Sequence, residues 1–154
     1  MTALNVQWID RADRLIARTM WRYGHAALRY ALAAVFIWFG ALKVVGVSPA
    51  RELVARTVYW LDPDWFVPLL GWWEVAIGVC LLIRPLIRLG ILLLIPQLAG
   101  TFLPIVLLPE VVFVRFPHAL TLEGQFIVKN LVILAAGLVI GGTVRRPENQ
   151  NERL

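Results

Sequence analysis

"GQFIVKNLVILAAGLVIGG", from Gly124 to Gly142, has the length and apolarity of a membrane-crossing helix, yet Lys129 and Asn130 sit inside it. A hydrocarbon core of about 30 Å is crossed by about 20 helical residues. A lone lysine at its centre costs about 2.5–3.5 kcal/mol on insertion scales. Two arrangements make Lys129 tolerable. A carboxylate elsewhere in a bundle pairs with it, Glu74 being the first choice, or its amine snorkels outward to the headgroups.

Three more stretches upstream share this character: Leu28–Val47, Val67–Ile83 and Leu86–Pro109. With a fourth span over Ala119–Gly142, they predict an all-α integral membrane four-helix bundle. The composition agrees. Of 154 residues, 60% are hydrophobic and 16% charged, with a mean hydropathy of +0.74. Soluble domains run near 45–50% apolar, so the excess surface here needs lipid. Pro96 and Pro104 fall inside the third stretch and predict a kink there.

The basic residues predict an orientation. Ten arginines lie on one side of the spans: Arg11, Arg14, Arg18, Arg22, Arg29, Arg84, Arg88, Arg145, Arg146 and Arg153. Only Arg51, Arg56 and Arg115 lie on the other. The positive-inside rule then places both termini in the cytoplasm, and the expected location is a bacterial inner membrane. Residues 1–27 read as a basic amphipathic interfacial helix. Ile9, Ala12, Leu15, Ile16, Met20 and Tyr23 form its apolar side, the arginines its other, and Trp8 and Trp21 suit the interface. The expected domain is 28–142, followed by a polar tail over 143–154. The net charge of +5 is assigned to anionic lipids on the cytoplasmic side, and no nucleic-acid motif accompanies it. The segment 48–68 reads as an outer loop with a short helix capped by Ser48, and Tyr59, Trp60, Trp65 and Phe66 as an interfacial belt.

A polar layer emerges from the span boundaries. At 1.5 Å per residue, Lys43 and Glu123 are about 6 Å from the outer surface, Glu74 about 10 Å and Lys129 about 15 Å. Gln97 falls near the middle of the third span. Lys43, Glu74, Gln97, Glu123, Lys129 and Asn130 are therefore candidate ligand-binding or structural polar residues, with Trp38, Trp72 and Trp73 as a candidate aromatic wall. The single cysteine, Cys80, reads as a small buried hydrophobe, with no partner for a disulfide or a redox pair. His25 and His118 lie at opposite membrane faces, about 30 Å apart, and cannot share a metal. No Glu-x-x-His pair, nucleophile triad or phosphate-binding loop is present, so no catalytic residue and no metal site are assigned.

"FIWFGALKVV" (Phe36–Val45), "GWWEVAIG" (Gly71–Gly78), "TFLPIVLLPEVVF" (Thr101–Phe113) and "GQFIVKNLVILAAG" (Gly124–Gly137) together resemble the DoxX-like superfamily of small four-helix membrane proteins. The YkgB branch is the nearest in pattern, over roughly Leu28 to Gly142. The resemblance implies a polar pattern at Lys43, Glu74, Glu110 and Lys129. That branch tends to carry an acid after the fourth-helix lysine, where this chain has Asn130, and its first external loop looks longer. Some members are subunits of thiosulfate:quinone oxidoreductases, and others are linked to oxidative-stress resistance. The resemblance thus implies an accessory or quinone-interacting subunit, with quinone as the possible cofactor, in a homo-oligomer or a larger membrane complex. Two other functions stay open: a purely structural subunit, and a small transporter or proton-handling protein using the polar layer.

Overall fold

The computed structural model describes residues 2–143, with side chains from Asp10 onward. The tail expected from residue 143 falls, from 144 on, outside the described residues, as does the side chain of Trp8. The chain is mostly helical, and among the described residues four segments are long and apolar enough to cross a membrane: Asp10–Val45, Pro63–Leu82, Arg84–Leu107 and Leu122–Thr143.

Helix α1 runs without interruption from Thr2 to Val45. Its 44 residues make about 66 Å of helix, roughly twice a hydrocarbon core. No proline interrupts it, and Gly24 is tolerated within it at a cost of about 1 kcal/mol. The seam expected at residue 27, separating an interfacial helix from the first span, is therefore missing. Residues 10–27 are helical, as the pattern required, but they leave the bundle as an extension of the same helix. Every side chain from Asp10 to Ala27 except His25 is exposed. Gly46, at φ 83°, ends α1 in the left-handed conformation that glycine adopts without strain. Its N–H bonds to the Lys43 carbonyl at 3.2 Å, and that of Val47 to the Leu42 carbonyl at 3.1 Å.

A short helix, α2 (Arg51–Thr57), follows. It begins two residues later than Ser48 and Pro49 suggested, because the Ser48 hydroxyl accepts from the Ala50 N–H at 3.3 Å and closes a turn there. Helix α3 (Pro63–Leu82) starts on Asp62, whose carboxylate accepts from the Asp64 N–H, with Pro63 at its first position. A 3-10 turn over Arg84–Leu86 reverses the chain into α4 (Ile87–Leu107), which continues through Pro96 and Pro104.

The fourth span departs from the expected single helix over 119–142. After α5 (Pro109–Val112) the chain forms a two-stranded antiparallel hairpin, β1 (Phe113–Arg115) with β2 (Ala119–Leu120). The helix begins only at Leu122, because Thr121 is its N-cap and its hydroxyl accepts from the Gly124 N–H at 3.0 Å. It is then divided into α6 (Leu122–Val128) and α7 (Asn130–Thr143), and the break falls at Lys129.

Helix α3 packs between α1 and α4, and α7 packs on α1 and α4. Ala33 and Phe36 of α1, Ile77 and Leu81 of α3, Leu94 of α4 and Ile140 of α7 fill the centre. Cys80 is buried and free. Most other apolar side chains on these helices face outward: Val106 is 76% exposed, Leu138 71% and Val132 70%.

Candidate functional site

The site begins with two glycines. A Cβ on Gly40 would stand 2.6 Å from the Gly71 carbonyl oxygen, and one on Gly71 would stand 2.7 Å from the Gly40 oxygen. Helices α1 and α3 therefore meet backbone to backbone, and neither position accepts a side chain. Each glycine is followed three residues later by a charge: Gly40 by Lys43, Gly71 by Glu74. Residues three apart share a helix face, and helical side chains lean toward the N-terminus of their own helix. In this antiparallel pair the two lean toward each other. The Lys43 stem crosses the space left by Gly71, where a Cβ would lie 2.8 Å from its own.

The charges meet directly. Lys43 Nζ donates to Glu74 Oε2 at 2.6 Å. Gln97 Nε2 of α4 donates to Glu74 Oε1, also at 2.6 Å. Thr101, one turn further along α4, donates its hydroxyl to the Gln97 carbonyl at 2.9 Å. Three helices are thus tied at one carboxylate. Lys43, Glu74 and Gln97 are 7%, 6% and 8% exposed, as sequestered as the apolar core. Both carboxylate oxygens have a donor. The ammonium has three donors and spends one on Glu74.

The other candidates lie elsewhere. Lys129 is exposed and does not pair with Glu74. Its Nζ lies 3.9 Å from the centroid of the Phe126 ring, one turn toward the N-terminal end of α6. Of the two arrangements considered for this lysine, the pairing with Glu74 is absent, and the ammonium instead makes a cation–π contact. The reason is placement: Glu74 is on α3, flanked by α1 and α4, and the fourth span docks on α1 and α4 instead. Asn130 donates to the Phe126 carbonyl at 2.9 Å and serves the backbone at the helix break. Glu123 is exposed in the first turn of α6, where a carboxylate suits the helix dipole. Glu110 is exposed at the start of α5.

The tryptophans do not enclose the cluster. Trp38 and Trp72 are 69% and 60% exposed on the outside of the bundle. At 100° per residue Trp38 is about 140° around α1 from Lys43, and Trp72 about 160° around α3 from Glu74. Trp73 is 39% exposed and donates its indole N–H to the Leu93 carbonyl of α4 at 3.2 Å. It braces α3 on α4 beside the polar cluster.

Two features were missed. Arg29 is 9% exposed with its Nε unpaired, although it reads in sequence as one more basic flank residue. The second is the glycine crossing, for which the repeated pattern Gly-x-x-Lys and Gly-x-x-Glu is a usable signal.

Among the described residues no group of three or more histidine, cysteine or acidic side chains is placed to hold a metal. No family model, curated protein or solved structure matches this chain.

Proposed function

We propose that this chain is a multi-pass protein of a bacterial inner membrane, with both termini cytoplasmic, that serves as a quinone-interacting accessory subunit in membrane redox metabolism or oxidative-stress defence. The observation that carries this reading is the Lys43–Glu74–Gln97 cluster. Ionisable groups placed inside a membrane bundle mark functional sites by default, because their burial is costly. The unspent donors of Lys43 offer hydrogen bonds to a quinone carbonyl, and Glu74, itself held by Gln97, keeps that amine in place. The arginine asymmetry supports the orientation. The likeness of Phe36–Val45, Gly71–Gly78, Thr101–Phe113 and Gly124–Gly137 to DoxX-like proteins supports the redox setting and an assembly with other subunits. The basic α1 extension suits anionic lipid or a partner on the same side.

One observation favours a second reading. Both Glu74 oxygens are already satisfied from within the chain, as in a structural pin that fixes helix register. Calorimetric titration of the purified protein with a short-chain quinone separates the two. Saturable binding that is lost in Glu74→Gln is expected for the quinone site. Binding that is absent, or unchanged by the substitution, leaves the cluster as a structural pin.

A further inference from the structure

One row of side chains runs along α1 from the bundle into the extension. Within the bundle it consists of Lys43, Gly40, Phe36, Ala33 and Leu32, all buried. It continues through Arg29, His25, Arg22, Arg18, Arg14 and Arg11, in steps of three or four residues. At 100° per residue these last six fall within about 80° of arc, centred on the direction of the buried five. Helix α1 has no break from Thr2 to Val45, so the helix itself fixes this alignment.

The row changes its chemistry where its cover ends. A Cβ on Gly78 of α3 would lie 2.7 Å from the Ala33 carbonyl oxygen, so one turn on, in this antiparallel pair, the last residue of α3, Leu82, comes level with Arg29. Arg29 is still 9% exposed, and its Nε has no partner. Beyond it Arg22, Arg18, Arg14 and Arg11 are exposed, and among the described residues none of the four is in an ion pair. From Arg22 to Arg11 the uncovered row is about 17 Å long. Leu15 and Trp21 border it, one on each flank, and both are exposed.

The opposite face of α1 shows that lipid is not what these arginines meet. Ile16, Met20, Tyr23 and Ala27 lie about 180° around the helix and continue the exposed row Ala34, Trp38, Ala41 and Val45 of the span. An upright extension turns its arginines across the end of the bundle. An extension that leans onto the leaflet goes down on its apolar face and turns them to water. Neither posture gives them to headgroups. The chain after Thr143 is no counter-anion either, since its three arginines outnumber its two glutamates.

We propose that this row docks an acidic helix of a partner subunit on the side of the termini, with carboxylates against Arg11, Arg14, Arg18 and Arg22 and apolar side chains against Leu15 and Trp21. The proposal rests on the membrane-subunit reading above and names the partner's chemistry. Charge complementarity fixes the partner's sign and register. The apolar borders select protein: a phosphate backbone pairs with the arginines but sets nothing against Leu15.

The test is fluorescence anisotropy of a labelled synthetic helical peptide added to the full-length protein in phosphatidylcholine nanodiscs. The peptide carries glutamates at three- and four-residue spacing along one face, with leucines beside them. Saturable binding is expected. A peptide of the same composition with its glutamates spread around the helix is expected to bind about fivefold more weakly. The variant Arg11→Ala/Ala12→Arg/Ala17→Arg/Arg18→Ala keeps the net charge and moves two arginines about 100° off the row. Alanine and arginine are both strong helix formers, so its circular dichroism is expected to match the parent's. It is expected to bind the first peptide about fivefold more weakly, because two exposed pairs are displaced. Met20→Ser, on the opposite face, is expected to bind as the parent does.

Equal binding of the two peptides, or of the parent and the rearranged variant, overturns the proposal, because net charge alone then accounts for the attraction. Tighter, row-dependent binding of a labelled oligothymidylate overturns it in favour of nucleic acid. Loss of peptide binding when phosphatidylglycerol replaces phosphatidylcholine overturns it in favour of headgroups. A severalfold gain in Glu148→Gln/Glu152→Gln protein overturns it in favour of the tail. Failure of the chain to enter nanodiscs refutes the spanning reading and this proposal with it. Entry without discrimination between the peptides refutes this surface alone.

Discussion

Removing one member of the Lys43–Glu74 pair leaves its partner charged inside the bundle or forces it to change protonation. The pair is 2.6 Å long and both residues are more than nine-tenths buried, so little water is present to relieve either case. Breaking a buried pair costs about 3–5 kcal/mol in soluble proteins. Lipid-embedded sites soften this through snorkelling and local water, toward about 2–4 kcal/mol for Lys43→Met or Glu74→Gln alone. The double substitution leaves no unpaired charge, and Gln97 can hydrogen-bond the new amide. It is therefore expected to sit at least about 1.5 kcal/mol above the sum of the two losses. The assay is reversible unfolding of the four proteins in mixed micelles. Losses that simply add, within about 0.5 kcal/mol, refute the coupling and with it the cluster.

Gly71→Ala places a methyl 2.7 Å from the Gly40 carbonyl and 2.8 Å from Lys43 Cβ, and is expected to cost about 1–3 kcal/mol on the same unfolding assay. Lys129→Met removes a cation–π contact and no ion pair, so its stability is expected within about 1 kcal/mol of the parent. A larger loss would reveal a partner for Lys129. For topology, single cysteines at Asp62 and Asn149 in a Cys80→Ala background are expected to label from outside and inside intact cells respectively. External labelling of residue 149 would reverse the orientation.

The long apolar segments were legible because their length and hydropathy depend on composition alone. The polar residues were legible as types and depths, but not as partners. Depth along a helix does not say which helix stands beside it, so by depth Glu74 is the first choice of partner for Lys129, beside outward snorkelling, while the Gly40–Gly71 crossing gives it to Lys43. Trp38, Trp72 and Trp73 lie within five residues of Lys43 or Glu74 in sequence, yet their angular offsets from those residues turn two of them outward. The hairpin at Phe113–Leu120 lies mostly in the connection between the third and fourth spans, and only its second strand, Ala119–Leu120, displaces the expected start of the fourth helix. The break at Lys129 depends on a side chain, Asn130, bonding a backbone carbonyl one turn back, which no periodicity reveals. The basic α1 segment has the faces of an interfacial helix, but nothing in it stops the helix that follows, so the two become one.

The central claim, that the Lys43–Glu74–Gln97 cluster holds a quinone-type ligand, is tested most directly by native mass spectrometry of gently solubilised protein. The parent is expected to carry a lipophilic adduct of quinone mass, and the folded Lys43→Met/Glu74→Gln double variant is expected to lack it. An adduct-free parent, or an adduct retained equally by the double variant, would contradict the claim.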